Sequence, residues 1–175
     1  VCIESDPQRA SVWRFGLDGS GGAPFARGLR NAVGLAWEPA TGRLWATDNE
    51  RNALGEEIPP DELDVLRLGG DYGWPACWGQ RTVDPAFGSS ERCAGTEPPA
   101  LELPAHSAPL GLAFYVGDRF PPEYQGGLFV ALHGSALREN AVGYNLQYIP
   151  FENGRPGAPR EFARGWLVGD DSWGR

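Results

Sequence analysis

The stretch Val33-Gly34-Leu35-Ala36-Trp37 recurs further along the chain as Leu110-Gly111-Leu112-Ala113-Phe114. A turn follows each copy, Pro39-Ala40-Thr41-Gly42 after the first and Pro121-Pro122-Glu123-Tyr124-Gln125-Gly126-Gly127 after the second. Each turn leads into another apolar segment, residues 43–48 or 128–133. A second similarity overlaps the first. Val12-Trp13-Arg14-Phe15-Gly16-Leu17 runs through Asp18-Gly19-Ser20-Gly21 to residues 25–29, and Tyr144-Asn145-Leu146-Gln147-Tyr148-Ile149 runs through Glu152-Asn153-Gly154-Arg155 to residues 162–166. These segments alternate polar and apolar residues, the period of half-buried strands. Asp-Gly and Asn-Gly between them tolerate positive φ and are hairpin signals.

The order is therefore four strands, repeated out of phase with the termini. It makes the chain all-β, a partial β-propeller of about two and a half four-stranded blades within a single domain. Residues 1–30 end one blade, 31–100 form a second with a long insertion, 101–168 form a third, and 169–175 begin the next. Such a piece cannot close a ring, so further strands are expected on both sides. A chain without Met that stops at Trp173-Gly174-Arg175 gives the same expectation of a truncated internal fragment. A sandwich also suits short strands at this spacing and stays open as an alternative. The one weak helix candidate is Asp61-Glu62-Leu63-Asp64 after Pro59-Pro60, and a loop running into a strand over residues 63–68 is the preferred reading.

Composition agrees. The 25 Gly and 16 Pro among 175 residues punctuate apolar runs, which favours tight turns over long helices. The net charge of −8 comes with no basic stripe, which argues against a nucleic-acid partner. All 15 basic residues are Arg, a side chain suited to fixed bidentate contacts with anions. No apolar run approaches the roughly 20 residues that span a bilayer. Of the three cysteines, Cys77 and Cys93 flank a Gly/Ser-rich loop that a disulfide would close. Cys2 is left over, and an odd cysteine often pairs outside the visible segment. Three free thiols are the alternative. A disulfide would imply an oxidising compartment, periplasmic or secreted.

Five strings, in order along nearly the whole chain, carry a resemblance. They are residues 28–37 (Gly28-Leu29-Arg30-Asn31 into the first repeat), residues 48–63 (Asp48-Asn49-Glu50-Arg51 to Pro59-Pro60-Asp61-Glu62-Leu63), Gly69-Gly70-Asp71-Tyr72-Gly73-Trp74-Pro75, residues 106–115 from His106-Ser107-Ala108-Pro109, and Ala131-Leu132-His133-Gly134-Ser135. Together they resemble the pyrroloquinoline-quinone-dependent glucose/sorbosone dehydrogenases, most of all the sorbosone-type branch. The resemblance implies a six-bladed propeller that holds the quinone and calcium at one end of its channel. It implies oxidation of a sugar substrate, with hydride passing to the quinone and electrons to an external acceptor (a quinone or a cytochrome c).

By the same resemblance Arg30 lies against the quinone oxygens as the catalytic and cofactor-binding residue, with Asn31, Asn49, His106 and His133 beside it. His133 stands where the glucose-oxidising branch carries a cofactor-binding Lys. Arg175 matches the first Arg of a later cofactor-clamping segment. Backbone carbonyls at Glu50 and Arg51 match the holders of the cofactor's calcium, although the glucose-oxidising branch has Gly-Pro there. Asp61 and Glu62 match an acidic pair near a second, structural calcium. Tyr72-Gly73-Trp74-Pro75 reads as structural. The family's general base, a His in an earlier blade, falls upstream of residue 1, so the chain alone is not expected to turn over substrate. A calcium-dependent lactonase-type hydrolase and a non-catalytic binding propeller are the competing readings, since fold alone does not separate them.

Overall fold

The computed structural model describes residues 3–135, 137–169 and 172–173. Cys2 and Arg175 lie outside the described residues.

The chain begins with a hairpin of β1 (Ser11–Arg14) and β2 (Ala23–Arg27). Asp18 shapes its connection by accepting both the N–H and the Oγ–H of Ser20. Next come β3 (Ala32–Trp37), β4 (Leu44–Asp48) and β5 (Asp61–Leu66). An insertion follows, with β6 (Gly70–Asp71), β7 (Cys77–Trp78), β8 (Thr82–Val83) and the short helix α1 (Ser90–Ala94), whose N-cap Ser89 accepts the Arg92 N–H. β9 (Leu101–Leu103) returns to complete an antiparallel sheet in the order β3-β4-β5-β9. β6 joins the first hairpin instead, pairing in parallel with β2.

The unit then repeats. β10 (Pro109–Phe114), β11 (Leu128–Leu132) and β12 (Asn145–Ile149) run into the small hairpin of β13 (Phe151–Glu152) and β14 (Arg155–Pro156), and β15 (Arg160–Arg164) closes a sheet ordered β10-β11-β12-β15. A last hairpin pairs β16 (Leu167–Val168) with β17 (Ser172–Trp173).

Three sheets stack because their strands alternate. In β4 and β5, Trp45 and Leu63 face the next sheet, where they meet Leu128, Val130, Leu132 and Ile149. Ala46 and Leu66 face the preceding one, where Ala26, Leu29 and Tyr72 cover them. Trp45 is fully buried and sets its ring edge-on to Phe114 and Phe151 at 6.3 and 4.9 Å. Edge-to-face pairs of this kind add about 0.5–1.5 kcal/mol beyond area burial. The first strands of the two four-stranded sheets touch through Gly34, where a Cβ would lie 2.2 Å from the Leu110 carbonyl oxygen. Glycine is the only residue that allows this approach.

Three expectations change. The helix candidate at residues 61–64 is the start of β5, because its backbone pairs with β4 on one side and β9 on the other. The strand spans residues 61–66 and not 63–68. The outer strand of the second sheet lies at residues 101–103, past the division expected at residue 100. Cys77 and Cys93 form a disulfide, with their Cα atoms 5.7 Å apart, and close the insertion into a ring.

Candidate functional site

Strand direction gathers the candidate residues at one end of the two sheets. Arg30 and Asn31 precede β3, Asn49 and Glu50 follow β4, Asp61 opens β5, and His106 comes just before β10. All six line one cavity of about 240 Å³. Leu137 and Gly134, from the connection after β11, complete its rim.

Two buried aspartates fix the backbone around it. Asp48 accepts the N–H groups of Arg30 and Asn31 through its two oxygens, at 2.8 and 2.6 Å. That bracket lets Arg30 turn its guanidinium to donate from Nη1 to the Asn49 carbonyl at 2.7 Å, with the planar group 5.7 Å from the Trp74 ring centre. Asp61 does the same for two other segments. Its Oδ1 accepts the Glu50 N–H, and its Oδ2 accepts the Ala108 N–H and the Ser107 hydroxyl. The Asn49 amide donates to the Pro109 carbonyl at 2.8 Å, tying the end of β4 to the start of β10. His106, in the left-handed region at φ +62, sets Nε2 2.8 Å from the Gly55 carbonyl. With that nitrogen engaged, His106 secures the 51–58 loop at the rim. Arg138 holds the same loop by pairing with Glu57.

Behind the cavity lies a dense group of acids. Asp48 and Glu62 are direct partners across β4 and β5, and Asp64 is two residues along on the same face. Burial pushes Asp48 up to about 7. Burial, reinforced by Asp48, pushes Glu50 up to about 8. Glu62 and Asp64 lie well above the ordinary carboxylate range, through burial first and the neighbouring acids second. Glu62 accepts the Gly79 N–H at 2.6 Å, whereas Asp64 is fully buried with neither oxygen hydrogen-bonded. Among the described residues no three His, Cys, Asp or Glu side chains are arranged to hold a metal ion.

The expected pair Asp61 and Glu62 is divided, because successive strand residues face opposite sides. Asp61 is engaged by three donors, and Glu62 sits with Asp48 and Asp64. Arg51 turns away from the cavity into the insertion, where Nη1 meets Asp84 Oδ2 at 2.7 Å. His133 is exposed and lines a separate apolar hollow of about 320 Å³ with Leu110, Leu146 and Trp166. The structure therefore brings Arg30, Asn31, Asn49, Glu50, Asp61 and His106 together and leaves His133 and the Arg51 side chain apart. Asp64 and Asp84 were not singled out in the sequence. Glu62 and Asp64 at a spacing of two carried a signal, since a strand places such residues on one face. Asp84 carried none.

A family model described as TrAA12-like matches residues 10–166. The chain belongs to the TrAA12-like family. This TrAA12-like chain is 33% identical over 145 residues to aldose sugar dehydrogenase YliI of Escherichia coli (strain K12), covering 80% of the chain and 32% of that protein. It superposes on the PQQ-bound form of the aldose sugar dehydrogenase from Streptomyces coelicolor with a TM-score of 0.60 and 26% identity, over 89% of the chain and 40% of that structure. The holo pyranose dehydrogenase PQQ domain from Coprinopsis cinerea shares the fold, with a TM-score of 0.67 at 24% identity over 89% of the chain and 48% of that structure. The TrAA12-like chain spans about a third of the length of the curated relatives it matches.

Proposed function

We propose that this chain is part of a pyrroloquinoline-quinone-dependent aldose dehydrogenase, and that it forms one wall of the cofactor pocket. In this reading its sheets are about two and a half blades of a six-bladed propeller. The observation that carries the proposal is the convergence of Arg30, Asn49, His106 and the Glu50-Arg51 backbone at one end of stacked sheets, in a chain similar to aldose sugar dehydrogenases.

The donor set fits the cofactor's chemistry. A tricarboxylated quinone calls for fixed cationic and N–H donors, and the cavity has a guanidinium held by the Asn49 carbonyl on a backbone fixed by Asp48. The backbone carbonyls of Glu50 and Arg51, at the end of β4, would hold the calcium beside the cofactor. When bound, the quinone supplies the redox chemistry, accepting hydride from a sugar C–H bond. Arg30 places positive charge where negative charge grows during that transfer, a preorganised electrostatic role. Asp48 holds the Arg30 backbone and the Asn49 carbonyl holds its guanidinium, so that little reorganisation is needed. His106 holds the 51–58 loop at the rim of the cavity. The sugar's proton goes to a general base from another part of the protein, since His106 is tied to Gly55 and His133 lies outside this cavity. Electrons leave to an external quinone or cytochrome c. The disulfide favours a periplasmic or secreted setting.

The test is titration of the full-length protein with the quinone and calcium, followed by dye-coupled oxidation of aldoses. A calcium-dependent spectral change with sugar-dependent dye reduction supports the assignment. Its absence, or lactone hydrolysis without quinone, defeats it.

A further inference from the structure

The insertion between β5 and β9 lies away from the cavity, yet it grips the residue next to Glu50. Asp84 is 1% exposed. Its Oδ2 meets Arg51 Nη1 at 2.7 Å, in a pair whose side chains are 12% and 1% exposed. Its Oδ1 accepts the N–H groups of Ala86 and Phe87, and its own N–H donates to the Ala76 carbonyl. The Phe87 ring lies under the Arg51 guanidinium at 5.5 Å. The Cys77–Cys93 disulfide encloses Asp84, Ala86 and Phe87. Asp84 is thus immobilised from four directions, and it holds Arg51 from the side opposite the cavity. Arg51 has no other charged partner among the described residues.

We infer that Asp84 is a positioning residue for the cavity wall: by clamping Arg51 it fixes the backbone at Glu50 and Arg51, and the disulfide ring holds the clamp. The inference rests on the cofactor reading for its functional consequence, because that backbone is where calcium would bind. Asp61 holds the Glu50 N–H and the Glu50 carboxyl holds the Arg51 N–H, both from the cavity side. The buried ion pair adds a restraint on Arg51 from the opposite side. Partners one shell away from a metal ligand typically change metal affinity by about 10–100-fold when removed.

The experiment uses the full-length protein with Asp84→Asn, Asp84→Glu and the double variant Arg51→Met/Asp84→Asn. Hydrogen exchange is followed over residues 50–58 without cofactor, and quinone affinity is measured with calcium present. Breaking a buried pair from one side costs stability, whereas replacing both partners usually restores it. The expected result is faster exchange at 50–58 and about tenfold weaker quinone binding in Asp84→Asn. Asp84→Glu should recover part of both. The double variant should regain stability without regaining affinity. Affinity that returns with stability, or unchanged exchange at 50–58, overturns the inference. If Asp84→Asn does not fold, reducing the disulfide in the unaltered protein must loosen 50–58, and failure to do so overturns it equally. Wild-type protein that binds no quinone defeats the proposed function, while the exchange data still decide the role of Asp84.

Discussion

Asp48 spans two consecutive peptide groups, taking the Arg30 N–H on Oδ2 and the Asn31 N–H on Oδ1. This one carboxyl sets the turn into β3 and, through it, the direction of the Arg30 guanidinium. Asp48→Ala leaves two partly buried donors without acceptors. The expected loss is about 2–6 kcal/mol, at roughly 1–3 kcal/mol for each unsatisfied group. Urea unfolding measures it.

Arg30→Ala in the full-length protein should lower sugar turnover by about 10²–10³-fold, the range for removing one preorganised electrostatic donor. Arg30→Lys should not restore it, because an ammonium cannot donate to the Asn49 carbonyl and lie flat near Trp74 at once. Steady-state dye reduction with the two variants checks both statements.

The buried acids give a pH dependence of unusual sign. Burial raises Asp48 to about 7 and Glu50 to about 8, and Glu62 and Asp64 are also pushed well above the ordinary carboxylate range. Below the unfolded carboxylate range, near 4, both states hold these protons. Between there and about 8 the unfolded chain releases protons that the native chain keeps, so stability falls as pH rises. Without calcium, the unfolding free energy should drop by about 1.4 kcal/mol or more from pH 5 to pH 8, the equivalent of one pKa unit in one group. Added calcium should recover much of the loss at pH 8, and a chelator should abolish that recovery. Denaturant titrations at the two pH values, with and without calcium, measure this.

Gly34→Ala tests how the sheets stack. The new methyl would meet the Leu110 carbonyl oxygen, a backbone atom that cannot step aside alone. Overpacking of this kind costs about 1–3 kcal/mol. The same change at Gly111, where a Cβ meets nothing within 4 Å, should be tolerated and serves as the control.

The repeat of Gly-Leu-Ala-aromatic was enough to locate β3, β4, β10 and β11, since alternation and turn chemistry are local properties. Arg30, Asn31 and Asn49 were readable for the same reason, being flanking residues of those strands. The division of Asp61 from Glu62 was readable in principle, but reading residues 61–62 as loop hid the alternation. Asp84 was not readable. Its contact with Arg51 joins residues 33 apart in sequence through an insertion whose path is set by a disulfide and turns. His133 lines a different hollow from the other candidates because a residue one step past a strand end can face either neighbouring sheet, and only packing decides which.

The acids buried behind the cavity also alter how the molecule behaves in an electric field. The net charge of −8 counts every carboxyl as ionised. Burial raises the pKa of four of those groups while the chain is folded. The native protein should therefore migrate toward the anode more slowly than its composition dictates, and bind an anion exchanger less tightly. Unfolding releases the hidden charge, so electrophoretic mobility itself becomes a reporter of whether the sheets are stacked.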